Sequence, residues 1–133
     1  MSKYLFLMKY PESPQGRYIE DTAQKIEECF ISDAILKELD SLDPWVELEV
    51  FEDANGNESN LFQCIDNSKI AQVEKKTINI FKHLVREIGV EDIAPEKIES
   101  TMVNFRSICN MHFLLRIKAE KYSADERVVV QLG

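Results

Sequence analysis

Between Glu38 and Ser68 the chain carries nine carboxylates and no lysine or arginine: Glu38, Asp40, Asp43, Glu47, Glu49, Glu52, Asp53, Glu58 and Asp66. Crowded carboxylates can trade protons as an acid and base pair, hold a hard cation, or receive the basic surface of another protein. Acid–base work needs a pocket that takes the pair out of water. Glu47 and Glu49 instead alternate with Val46, Leu48 and Val50, the pattern of a solvated strand face. Cation binding has a partial template in Asp53-Ala-Asn55-Gly-Asn57-Glu58, where side-chain oxygens fall at the first, third and fifth positions of a calcium loop. Its sixth residue is Glu58 where that loop needs glycine, and its twelfth is Cys64 where it needs a bidentate glutamate. The segment therefore reads as a hairpin turn built on Asn-Gly, and no metal is expected. What is left is a basic partner surface, or a solvated cluster that serves solubility alone.

The other reactive side chains point away from catalysis. Cys29, Cys64 and Cys109 are odd in number, far apart and without a CxxC pair, so they read as reduced, buried thiols in a reducing compartment. His83 falls on the polar side of a helical pattern and His112 on the polar side of an alternating one, so both are expected in solvent. A cysteine nucleophile needs a neighbouring base, and the alternation turns Cys109 inward and His112 outward. There is no GxGxxG, P-loop or HExxH segment, so no cofactor is expected.

Charge and length bound the rest. The chain has 133 residues and a formal charge of −8, and residues 38–68 alone carry −9, so the acidity is local. One globular domain spanning 1–133 is expected, long enough to build a core without disulfides or metal. A sequence pI near 4.8 argues against direct nucleic-acid binding, which draws on excess lysine and arginine. The apolar run Tyr4–Met8 is too short for a signal-peptide core or a bilayer span, so a cytoplasmic, non-membrane protein is expected.

Residues 3–9 suit an interior strand. Pro11, Pro14 and Gly16 predict an extended loop. Ile19, Ala23, Ile26, Phe30, Ile35 and Leu39 keep a three-or-four spacing that predicts a first helix over 18–40, with Ser32 and Asp33 able to cap a second segment within it; Asp43-Pro44 stops it. Trp45–Phe51 and Leu61–Ile65 predict a hairpin whose Val46, Leu48 and Val50 line the core while Glu47 and Glu49 share an open face with Trp45 and Phe51. Asp66-Asn67-Ser68 opens a second helix that runs to Gly89, read as a left-handed stop. Glu91–Lys97 is a charged connector. From Thr101 to Ala119 a period of two predicts two strands broken near 107–111, against a competing helix over 96–109. Arg127–Leu132 is a last strand. The whole predicts an α+β fold: a largely antiparallel sheet of five to six strands with two amphipathic helices packed on one face.

In size, acidity and mixed composition, with the Glu38–Asp66 run and the aromatics Trp45 and Phe51, the chain resembles the small immunity proteins of bacterial polymorphic toxin and contact-dependent growth inhibition systems. The resemblance implies a non-enzymatic inhibitor that binds one cognate basic toxin domain, often a nuclease. On that reading Asp40, Asp43, Trp45, Glu47, Glu49, Phe51, Glu52, Asp53 and Glu58 form the partner-binding surface. The alternatives are a phage-type inhibitor that imitates DNA against a host nuclease, and a small α+β enzyme, which a deep cleft lined by Cys109 or His112 would favour.

Overall fold

The computed structural model describes residues 3–89 and 93–133. Part of the connector expected at Glu91–Lys97 lies outside them; Pro95 itself is the first residue of a helix, where its missing N–H costs nothing. In chain order the elements are β1 (Lys3–Lys9), β2 (Tyr18–Ile19), β3 (Gln24–Ile31), α1 (Asp33–Asp40), β4 (Trp45–Phe51), β5 (Ser59–Ile65), α2 (Ile70–Ile88), α3 (Pro95–Lys121) and β6 (Val128–Leu132). The six strands form one sheet in the order β2-β4-β5-β6-β1-β3. Every pairing is antiparallel except β2 with β4. The fold is α+β, with three α-helices among the described residues where two were expected.

β1 is interior, as its continuous apolar run predicts, with Leu5 and Leu7 wholly buried under the helices. The region 18–31 holds no α-helix, only a single 3-10 turn at Glu20–Thr22. Its strands are β2 and β3, and β3 pairs with β1 through Leu5↔Cys29 and Lys3↔Ile31. A register shift sets Leu7 opposite Glu27 and Met8 opposite Lys25, so Ile26 is the extra residue of a bulge. That insertion lets Ile26 join Cys29 and Ile31 at the main core, whereas Phe30 lies on the other face beside Tyr4, so the step from 26 to 30 that suggested a helix links residues of two faces. The true helix starts where Ser32 caps it, its hydroxyl accepting from the Ile35 N–H.

The largest correction concerns residues 101–119, predicted as strands and found inside the 27-residue α3. Its buried positions, Thr101, Ser107, Ile108, Met111, Leu114, Leu115 and Lys118, step by three and four. Val103 and Phe113, at odd positions, stay exposed on other sides of the same helix, and added to the buried odd positions Ser107, Met111 and Leu115 they imitate a period of two. Polar residues of α3 serve the core boundary. Ser107 Oγ donates to the Phe30 carbonyl, and Ser32 Oγ donates to Asn104 Oδ1 at 2.6 Å. Buried Lys118 donates to the carbonyls of Tyr122 and Asp125, closing the helix end; desolvation lowers its pKa.

α2 begins after a short turn capped by Asp66 and ends at Gly89, whose φ of −75° is right-handed, so the expected left-handed stop is absent there. The main core joins Leu5, Leu7, Ile31, Ile65 and Val130 of the sheet to residues of all three helices, among them Leu39, Val73 and Met111. A smaller cluster of Tyr10, Val50, Cys64 and Val129 fills the opposite face.

Met111 is fully buried and Phe113 is 62% exposed, whereas a strand would turn both to the same side. Met111→Ala should cost about 2–5 kcal/mol and Phe113→Ala no more than about 0.5 kcal/mol in urea unfolding; equal losses would restore the strand assignment.

Candidate functional site

The acidic stretch is built on the β4–β5 hairpin. Its ladder pairs Trp45 with Ile65, Glu47 with Gln63, Glu49 with Leu61 and Phe51 with Ser59 on one face, and Val46 with Cys64 and Leu48 with Phe62 on the other. The hairpin and its alternation are as expected, but the faces are exchanged relative to the core. Trp45 and Ile65 pack with the main, helix-side cluster, whereas Val50 and Cys64 belong to the smaller cluster behind the sheet. Val46, expected inside, is 44% exposed. Glu47 and Glu49 therefore project on the helix side. α3 packs over β3, β6 and β1, and both glutamates are exposed.

Five of the nine carboxylates, Glu47, Glu49, Glu52, Asp53 and Glu58, sit on the hairpin or its tip, and none forms an ion pair among the described residues. At the tip, Glu52 and Glu58 continue the ladder, the Glu52 N–H donating to the Glu58 carbonyl. The Glu58 charge holds the Glu52 carboxyl above its ordinary pKa, helped by a hydrogen bond between the two side chains and by the charges of Glu20 and Asp53. Glu20 arrives from the other side of the sheet edge: β2 runs parallel to β4, and the Asp21 N–H donates to the Glu52 carbonyl. Sequence spacing concealed Glu20 because it lies more than thirty residues from Glu52.

Three of the remaining four carboxylates, those of Glu38, Asp40 and Asp66, have structural partners. Asp40 Oδ1 accepts from Trp45 Nε1 at 2.8 Å. Asp43 is exposed at the α1–β4 turn with φ 46°, and its carbonyl accepts from Lys69 Nζ. Glu38 bridges Lys76 at 3.2 Å. Asp66 accepts from both the N–H and the hydroxyl of Ser68, which lowers its pKa. Asp53 also accepts from the Asn55 N–H, an Asx-turn that shapes the hairpin end together with Gly56 at φ 71°.

The aromatics are less free than the sequence suggests. Trp45 is half-buried and tied to Asp40, and Phe51 lies under the Arg17 guanidinium at 4.9 Å. Arg17 also packs against Gly56, where an added Cβ would fall 2.3 Å from its Nη1. The exposed apolar group on the glutamate face is Leu61, 62% accessible and directly opposite Glu49. In the sequence it is the first residue of the apolar run Leu61–Ile65, which says nothing of its exposure.

Cys109 and His112, expected on opposite faces of a strand, lie one turn apart on α3 and line a hollow of about 440 Å³ with Thr77, Ile78, Phe81 and Lys82. His112 is half-buried, not solvated, with Nδ1 2.8 Å from Thr77 Oγ1. That hydroxyl donates its single proton to the Glu74 carbonyl, so Nδ1 is the donor to Thr77. Burial raises the Cys109 thiol, the direction opposite to the one an activated nucleophile requires. Cys29 and Cys64 are buried, and both thiols are pushed up to about 12.

Comparison of the chain with protein-family models, with curated proteins and with solved structures returned no match.

Because Glu52 holds its proton more tightly folded than unfolded, the folded chain binds more protons within the carboxylate range, and stability falls as pH rises through it. Glu52→Gln should therefore raise the melting temperature at about pH 7 and leave it unchanged near pH 3, as read by thermal unfolding at both values. A variant that melts lower at neutral pH would show that the tip is not repulsive.

Proposed function

We propose that this chain is a non-enzymatic inhibitor of the immunity type, which binds and neutralises a cognate basic toxin domain through the β4–β5 hairpin. The observation that carries this reading is the set of hairpin carboxylates that form no ion pair among the described residues, one of them, Glu52, held above its ordinary pKa by the charge of Glu58 beside it. Such crowding disfavours the compact state, and a lysine- or arginine-rich surface laid over it would relieve the repulsion while gaining charge-assisted hydrogen bonds. Leu61, exposed beside Glu49, offers an apolar contact at the centre of the acidic face. Trp45 and Phe51 support the surface from within.

A nuclease is the partner class that suits this arrangement. Carboxylates at strand spacing can occupy residues that otherwise hold phosphates, which excludes the nucleic-acid substrate. A cytoplasmic location follows from that role. The long-range field of the hairpin would speed capture, since complementary charge raises association rates by about 10- to 1,000-fold at low ionic strength.

The test is co-purification with the product of the adjacent gene, followed by an activity assay of that protein with and without this chain. Neither complex nor protection would remove the proposal. Within a complex, the double variant Glu47→Lys, Glu49→Lys should lower the association rate by about tenfold or more and flatten its dependence on salt. Stopped-flow mixing across an ionic-strength series measures both, and unchanged kinetics would place the partner elsewhere on the molecule.

A further inference from the structure

α2 and α3 run antiparallel, joined by Thr77 to His112, by Glu74 to Arg116 at 3.0 Å and by the rings of Phe81 and Phe105, whose centroids are 5.2 Å apart. The stripe of α2 that enters the core comprises Ile70, Val73, Thr77 and Leu84. A second apolar stripe runs beside it. Ile78, Phe81, Val85 and Ile88, spaced by three, four and three, are between 39% and 48% exposed. On α3, Ile98, Met102, Phe105 and Cys109, spaced by four, three and four, form a matching stripe from the other side. The Phe81–Phe105 contact joins the two stripes into one floor. A hollow of about 930 Å³ opens beside Ile88, Ile98 and Met102, and the hollow beside Cys109 and His112 continues it along the helix pair. At the far end Arg116 bridges Glu74 and Glu120 and closes the groove. Contiguous apolar surface of this extent marks an interaction site.

The rim says what should cover it. At 100° per residue, Lys75, Lys82 and Arg86 fall along the solvent side of the α2 stripe, and Arg106 falls beside Met102 on α3. All four are exposed, and none is in an ion pair among the described residues. Glu99 is the acidic side chain that lines the same hollow. An apolar floor with basic edges complements a helix that is apolar on one face and acidic on its flanks. The eleven residues from Ile78 to Ile88 span about 15 Å, three turns of such a ligand.

We infer that the α2–α3 groove docks an amphipathic, acidic-flanked helix of a partner protein. Its anchors would recur every three to four residues along the floor, and its carboxylates would meet Lys82, Arg86 and Arg106. A second copy of this chain fits less well, because two grooves face to face bring their basic rims together. The site is separate from the acidic hairpin and stands whether or not the hairpin binds a toxin.

The experiment uses the full chain and a set of fluorescein-labelled stapled helices of about fourteen residues, with Leu, Ile or Phe on one stripe and Glu on its flanks. Each has a twin in which Lys replaces Glu. Fluorescence anisotropy should show acidic members binding about tenfold or more tighter than their twins. Val85→Asp should abolish binding, and the double change Lys82→Glu, Arg86→Glu should reverse the preference. Glu47→Lys with Glu49→Lys should leave it unchanged, which separates this site from the hairpin. All these positions are exposed, and thermal unfolding checks that each variant folds. Three results would overturn the inference: no binding by any acidic member, equal binding by the twins, or a wild-type dimer in sedimentation that Val85→Asp dissociates.

Discussion

One guanidinium holds the acidic edge of the sheet in place. Arg127, just before β6, donates from Nε to the Tyr10 carbonyl, from Nη1 to Gly16, and from Nη2 to both Pro11 and Arg17, while stacking on the Tyr18 ring at 4.2 Å. The segment it gathers contains two prolines and a glycine and makes few backbone pairings of its own, so its carbonyls need an outside donor. With the loop fixed, Tyr10 reaches Gln131 behind the sheet, and burial pushes its phenol up to about 12. The same loop sets β2 against β4, lays Arg17 on Phe51 and brings Glu20 up to Glu52. A cation more than sixty residues from the hairpin tip thus determines how crowded that tip is. Its own charge is spent on carbonyl oxygens and leaves the carboxylates unneutralised.

The remaining cations are distributed to the same effect. Lys69 serves the Asp43 carbonyl, Lys118 serves the end of α3, and Arg116 is shared between Glu74 and Glu120. Lys76 is the basic residue that pairs with the acidic stretch, and it takes Glu38, outside the hairpin. α2 and α3 each carry more lysine and arginine than glutamate, whereas the β4–β5 hairpin carries carboxylates alone, so charge is unevenly divided between the helices and the hairpin. A field of that form orients an approaching molecule before contact. It also keeps two copies from meeting through like surfaces.

Patterning located the elements whose neighbours left their periodicity undisturbed. β1, the β4–β5 hairpin, α2 and β6 lie where apolar spacing and turn residues put them, because each has one dominant buried face or is buried on both. β3 was hidden by a bulge at Ile26, a consequence of pairing with β1 that no local window contains. α3 was hidden because its apolar residues serve two surfaces, the core and the outer groove, and the sum of two helical stripes reads as alternation. The acidic hairpin was legible from composition alone. Which way its faces point was not, since that depends on where α3 lies. The groove left a trace in α2, where Ile78, Phe81, Val85 and Ile88 are more apolar residues than one buried stripe can use.

The place of β6 bears on how the chain comes together. It follows every other element in sequence yet lies between β5 and β1, and no ladder links the block β3-β1 to the block β5-β4-β2 without it. Until residues 128–132 are available, each half-sheet presents a bare strand edge, the kind of edge that recruits neighbouring chains. Closure joins β6 to β1 more than a hundred residues away and to β5 more than sixty away, contacts of long sequence separation that slow folding relative to local helix formation. Chains lacking those five residues would therefore keep both edges open.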